Sequence, residues 1–199
     1  MYTDKSIKKY IDDLAARLPA PGGGSAAGLC GALGTALLEM VCNFTLGKEK
    51  YKDVEQDIQK HLTSLKKVRD EFTAIIDEDV KAYSAIGDAF KTKDKKIIDK
   101  ALKNGYCVCL NICELSKKAI VISLDLSEKG NPNLITDVGC GVELLNAAFN
   151  SGVFNCEINL KGVEDKDFTE KEKASLVVLK KEMQDLYKNA IAKTKQRMG

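Results

Sequence analysis

Apolar positions recur at helical spacing along almost the whole chain, and nowhere do they alternate for long enough to read as a convincing strand. The first segment with this pattern covers 4–18, with Ile7, Ile11, Leu14 and Leu18 on one stripe, and Pro-Ala-Pro-Gly-Gly-Gly over 19–24 stops it. A second helix is predicted over 25–46, ended by a left-handed cap at Gly47. A third is predicted over 50–90 and a fourth over 94–127. The fifth covers 132–155, with Asn131 as its cap and Pro132 in its first position. After a polar loop over 162–168, a sixth runs over 169–195, and Thr169 with Glu172 has the spacing of a capping box. The expected fold is a single domain over 1–199, an all-α helical bundle of about six helices with long central helices.

Two of these helices ask for unusual surroundings. In the second, Gly24, Gly28, Ala32 and Ala36 repeat at every fourth position, while Leu29, Leu33, Leu37, Met40 and Phe44 form a broader apolar face. Small residues let another backbone approach closely, and each glycine costs helix stability, so this helix is expected to be central, packed all round or at a subunit contact. The third helix has its stripe at Leu62, Leu65, Val68, Phe72, Ile75 or Ile76, Tyr83, Ile86 and Phe90, interrupted by Asp79. At 41 residues it would reach about 60 Å, longer than its own domain's core, which points to a dimer. The fifth helix has its small residues at Gly141, Ala148 and Gly152, with Asp137 one turn before Gly141.

Charge and composition narrow the classes. With 31 basic and 29 acidic residues the net charge is +2, which makes no case for a nucleic-acid binder. No run approaches 18 uncharged apolar residues, so no membrane span is expected. The opening residues lead into mixed charge and not an apolar signal, so a cytoplasmic location is expected. Seven cysteines, an odd number, argue against a secreted disulfide scaffold. Cys109 and Cys113 share a helix face, but His61 is the only histidine, and no metal site is expected. His61 falls beside Asp57, Lys60 and Ser64 on the solvated side of its helix.

The candidate chemistry begins at 19–25, where three glycines and Ser25 place bare amides at a helix amino end. That geometry holds a carboxylate or phosphate, or serves only as a tight turn with a cap; the Gly-Lys-Ser/Thr of a nucleotide-binding loop is missing. Asp79 and Asp137 are acids on faces otherwise apolar or small, where burial costs several kcal/mol unless they are partnered. They are salt-bridged or capping residues, or they mark a cleft. Lys48 is either a partner of a helix dipole or a contact for an anion, and the six lysines over 91–103 are either a solvated linker or a local anion-steering patch. No Ser-His-Asp or Cys-His set can be assembled around His61.

Leu-Pro-Ala-Pro-Gly-Gly-Gly-Ser-Ala-Ala over 18–27 resembles the opening signature of the cyclodeaminase/cyclohydrolase family. The likeness continues in family order through 31–34, Met40-Val41, 46–51, 76–79, 89–91, 130–132, 136–139 and 158–160, which covers nearly the whole chain. It implies an all-helical homodimer with a folate site at or near the subunit contact. It implies hydrolysis of 5,10-methenyltetrahydrofolate to 10-formyltetrahydrofolate, or closure of 5-formiminotetrahydrofolate with release of ammonia. A non-catalytic folate-binding dimer is the third reading. The cyclohydrolase is expected first, because about 200 residues leave no room for the transferase to which a cyclodeaminase is usually fused. On this resemblance Asp137 serves as base or as partner of the cationic bridge, and Asp79 as a second acid/base or an orienting group for the pterin. Lys48 and Lys91 meet the folate carboxylates, and Pro21, Gly22, Gly23, Gly24, Ser25 and Asn131 line the site. No cofactor beyond the tetrahydrofolate-derived substrate is expected. The chain departs from the family pattern at Thr92-Lys93, at Cys109 and at Glu157, where many relatives have a proline, a proline and a basic residue.

Overall fold

Ser6 accepts the Lys9 amide and opens α1 (Ile7–Ala15). The glycine run then feeds α2 (Gly23–Thr45), and Gly47, at φ +71°, turns the chain out of it. In this computed structural model, which describes residues 1–199, a short 3-10 turn leads into α3 (Glu55–Thr92). Lys93 sits in the left-handed region at φ 59°, and Asp94 caps α4 (Lys95–Lys129) by accepting the Lys96 and Ile97 amides. Asn131 accepts the Asn133 amide and starts a 3-10 turn that runs into α5 (Ile135–Gly162). The final helix, α6 (Lys166–Met198), is capped by Asp165 through the Phe168 amide. Thr169 is therefore not its cap. Its hydroxyl donates back to the Asp165 carbonyl, and Glu172 accepts the Tyr106 hydroxyl at 2.9 Å.

The bundle is built around α2, which packs against α3 on one side and α5 on the other; α4 lies against both α3 and α5, and α6 covers α4 and α5. The glycines set these spacings. A β-carbon on Gly28 would press on Phe72 and Ile75, one on Gly31 would enter the Phe72 ring, and Gly34 meets the Gly141 carbonyl where α2 crosses α5. The small face of α2 is thus spent inside its own chain. Its larger apolar face does the opposite: Leu33 and Phe44 are exposed and Leu29, Leu37 and Met40 only half-buried. By length and composition α2 would qualify as a membrane span, a match that the rule of uncharged apolar runs does not pick up. Half of its most apolar stretch is buried within the bundle, as in the core helix of a globular domain.

The stripe of α3 is covered by α2 and α4 from Leu65 to Ile76, and Tyr83 and Phe90 farther along it are exposed. Two other expectations change. The stripe of α1 faces outward: Ile7 is 73% exposed, and Tyr10 and Asp13 are the residues that pack inward. His61 is half-buried and hydrogen-bonded to Asp125 at 3.0 Å, beside the Lys129 ammonium that joins Asp125 to Asp57.

Candidate functional site

No side chain of its own caps the amino end of α2, where Gly22 occupies the cap position. The acceptor comes from α3: Asp79 Oδ2 takes the Ser25 amide at 2.8 Å. The Ser25 hydroxyl donates to the Ile76 carbonyl at 2.8 Å, and the Tyr10 hydroxyl lies 3.0 Å from it. These contacts fix the glycine run against α3 and α1. They also explain why a carboxylate can stand on an apolar stripe, since a helix amino end offers an unpaired amide and a partial positive charge. Gly24 is required by this arrangement, because a β-carbon there would run into the Asp79 carboxylate. Burial pushes the Asp79 carboxyl above its ordinary range and the Ser25 amide offsets this only in part.

Asp79 faces a cleft of about 440 Å³. Gly22, Gly23 and Gly24 form one edge, Tyr83, Ile86 and Phe90 continue α3 along it, and Leu102, Gly105 and Cys109 of α4 make the floor. Asn155, Ile158 and Asn159 of α5 close the far side. Asp79 is the one charged side chain in this lining. Asn159 Nδ2 donates to the Asn155 carbonyl at 2.9 Å and to Cys109 Sγ at 3.8 Å, while Asn155 Nδ2 donates to the Ser151 carbonyl at 2.8 Å. Both carboxamide oxygens are left without a protein donor. Burial, with Asp79 adding to it, pushes the Cys109 thiol up to about 12, so it stays protonated. The cleft offers a carboxyl whose proton affinity is raised by burial, two free acceptors and aromatic and aliphatic walls. That combination suits a flat heterocycle with N–H donors and proton transfer at nitrogen.

The residues singled out in the sequence divide into two sets. Gly22, Gly23, Gly24 and Asp79 line the cleft, with Ser25 and Pro21 buried behind it. Lys91 is exposed and paired with Asp88 at 2.8 Å, outside the lining. Lys48, Asn131 and Asp137 sit at the opposite end of α2. Asn131 is a structural cap: its amide donates to Thr45 Oγ1 at 2.9 Å and its Oδ1 accepts the Tyr51 hydroxyl at 3.1 Å. Asp137, in the first turn of α5, is half-buried. It lies on the same edge of α5 as Asn155 but 18 residues away, about 27 Å along the axis. Glu157 pairs with Lys180 at 3.0 Å, away from the cleft. The residues that sequence reasoning passed over are Tyr83, Asn155 and Cys109 as a floor residue. Tyr83 follows Asp79 by one turn, and Asn155 precedes Asn159 by one turn, so each pair carried a signal in its spacing.

The site is a mostly apolar cleft at the meeting point of helix ends, holding one desolvated acid. The chain belongs to the formiminotransferase-cyclodeaminase family, whose sequence model matches residues 6–177. It is 37% identical over 179 residues to a methenyltetrahydrofolate cyclohydrolase of Methylorubrum extorquens, covering 85% of this chain and 86% of that one. It is 27% identical to the formimidoyltransferase-cyclodeaminase of Rattus norvegicus, of which the match covers only 33%. The crystal structure of formiminotetrahydrofolate cyclodeaminase from Thermotoga maritima superimposes with a TM-score of 0.94 over 98% of both chains, at 28% identity.

Proposed function

We propose that this chain is a formiminotetrahydrofolate cyclodeaminase, working as a homodimer in the cytoplasm. The observation that carries the reading is Asp79, a desolvated carboxyl that holds its proton more tightly than an ordinary acid and faces a cleft of heterocycle size. Cyclisation needs such a group. N10 of the folate attacks the formimino carbon on N5, giving a tetrahedral carbon that carries both ring nitrogens and an amino group. N10 must lose its proton and the amino group must gain one before the carbon–nitrogen bond breaks and ammonia leaves. The formimino group reacts as its amidinium, so the attack leaves a neutral amino group; Asp79 gives its proton to that nitrogen and recovers one from N10, and the positive charge passes from the amidinium to the methenyl product. The free oxygens of Asn155 and Asn159 accept the pterin N–H groups, and Tyr83, Ile86 and Phe90 pack on its rings. No electron changes hands, and the chemistry asks for no cofactor beyond the folate.

Chain length favoured the cyclohydrolase in the sequence, but length does not discriminate. The Thermotoga maritima chain described as a cyclodeaminase is matched end to end at the same size. The cyclohydrolase stays as a second reading because the Methylorubrum extorquens relative, at 37% identity, has that name. There water adds to the bridge carbon while Asp79 takes one of its protons, the carbon–N5 bond breaks as N5 is protonated, and one proton leaves to solvent as the positive charge of the bridge is lost. Offering both substrates separates the two. Ammonia release with rising near-ultraviolet absorbance of the methenyl product, lost by about 10²–10⁴-fold in Asp79→Asn, is the expected result. Accelerated decay of 5,10-methenyltetrahydrofolate without any formimino turnover would transfer the reading to the cyclohydrolase, and inactivity on both would remove it.

A further inference from the structure

Two asparagines one turn apart on α5 line the cleft, and their surroundings differ. A carboxamide has two N–H hydrogens and one oxygen, and turning it over exchanges donor for acceptor at nearly the same place. Asn155 Nδ2 donates to the Ser151 carbonyl alone, at 2.8 Å, so its second hydrogen stays available to a ligand. Asn159 Nδ2 donates to the Asn155 carbonyl at 2.9 Å and to Cys109 Sγ at 3.8 Å, so both hydrogens are engaged. The oxygen is the polar atom that Asn159 has left to offer.

The oxygen end of this carboxamide rests on a missing side chain. Gly105 lies on α4 one turn before Cys109, buried in the floor of the cleft. A β-carbon there would stand 3.2 Å from Asn159 Oδ1 and 3.4 Å from its Cγ, closer than a β-carbon ordinarily comes to a neighbour. It would also stand 2.9 Å from Ile86 Cδ1, but that methyl is the far end of a flexible side chain and can turn aside. The carboxamide, tied by both hydrogens, cannot. A glycine in a helix interior costs stability, and no positive φ requires one at this position. What it provides is the room beside the Asn159 oxygen.

We propose that Gly105 and Cys109 are positioning residues for Asn159, the sulfur taking its nitrogen end and the bare backbone leaving room for its oxygen end, so that the cleft presents a fixed acceptor and selects a ring edge bearing an N–H donor. Turning the group over would set its oxygen against the Asn155 carbonyl, acceptor to acceptor, and break both of its hydrogen bonds. Burial, with the Asp79 charge adding to it, keeps Cys109 a neutral thiol. Its sulfur can therefore accept from Asn159 without bringing a second negative charge beside Asp79. For its ligand this rests on the folate reading, because the N–H groups of the pterin are what the Asn159 oxygen meets; the orientation of the carboxamide does not depend on it.

The orientation can be read without a ligand. The side-chain N–H pair of Asn159 is identified in a nitrogen–proton correlation spectrum by its loss in Asn159→Ala. In Cys109→Val, which fills the place of the sulfur with apolar carbon, one of the two proton signals should move while the other, still on the Asn155 carbonyl, stays. Selection is read from the folate that the wild type turns over. Cys109→Val and Gly105→Ala should each raise KM about 5-fold, the worth of one hydrogen bond, with the larger part of the loss in KM and not in kcat. In an Asn159→Ala background neither should raise KM further, because each acts through the group that is gone, whereas a general loss of packing would add in both backgrounds. Cys109→Ala replaces the valine variant in both measurements if that one does not fold. Unmoved Asn159 signals, or KM losses that add to that of Asn159→Ala, overturn the proposal. A wild type inactive on both folates would instead remove the folate reading, and the spectrum would still decide the orientation.

Discussion

Asp79 of α3 accepts the backbone amide of Ser25 at 2.8 Å and so caps a helix to which it does not belong. The contact ties the stability of the glycine run to a group with a separate chemical role. Its cost lies in desolvation: burial raises the Asp79 carboxyl above its usual range and only the Ser25 amide acts against that. Asp79→Asn keeps an acceptor for Ser25 and removes the buried charge. It should therefore match or exceed the wild type in stability at neutral pH, by on the order of 1 kcal/mol or about 2–4 °C in Tm, while losing turnover. A melting curve and a rate assay on the same preparation check both halves.

The same shift gives a pH dependence with a definite sign. A carboxyl whose pKa is raised on folding stabilises the folded state while it is protonated. That contribution fades as the pH climbs from the ordinary value, 3.8, through the raised one. The stability advantage of Asp79→Asn should accordingly be smallest in acid and grow to a plateau as the pH rises through that window. Denaturant melts at a series of pH values measure it, and a constant difference would contradict the desolvation argument. Turnover by wild type should fall through the same window if Asp79 delivers a proton to the leaving amine.

Gly24 tests the geometry in another way. A methyl group there would collide with the Asp79 carboxylate and must push α3 or the acid aside. Gly24→Ala should lose turnover as severely as Asp79→Asn, but with destabilisation of about 1–3 kcal/mol where the other variant has none. Tyr83→Ala, by contrast, removes a half-exposed wall from the cleft without touching Asp79. Its expected signature is a KM raised about 10-fold with the melting temperature nearly unchanged.

The helices themselves were legible because each carries its own apolar period and its own stop signal. Gly47, Asp94 and Asn131 end or begin elements where the sequence places them, and Asp79 stands out as an acid on an apolar stripe. What periodicity cannot convey is which face meets which neighbour. The small residues of α2 suit a central packed helix or a subunit contact equally well; in the structure Gly28 and Gly31 are filled by Phe72 and Ile75 of the same chain, and the large residues are the ones left outside. The stripe of α1 is equally clear in the sequence and equally silent about facing solvent. Asp79 and Asp137 share a signal in the sequence, since each is an acid on a face otherwise apolar or small. Their separation depends on α2 and α5 running antiparallel, with Gly23 beside Asn155 and Gly34 beside Gly141, which only the packed structure fixes.

The approach of Gly31 to Phe72 can be tested directly. Gly31 sits under the Phe72 ring, and a β-carbon at that position would overlap three of the ring carbons. Phe72 is fully buried and cannot swing into solvent, so overpacking must be absorbed by moving α2 away from α3. Gly31→Ala should cost about 1–3 kcal/mol despite the better helix propensity of alanine. Phe72→Leu alone should cost a similar amount by leaving a void. If the two side chains compete for one space, the double variant will be more stable than the sum of the single losses predicts, with a coupling of about 1 kcal/mol or more. Additive losses in urea melts would show instead that α2 and α3 yield independently at this contact, and the close approach would then not be what sets the spacing of the two helices that hold Ser25 and Asp79 together.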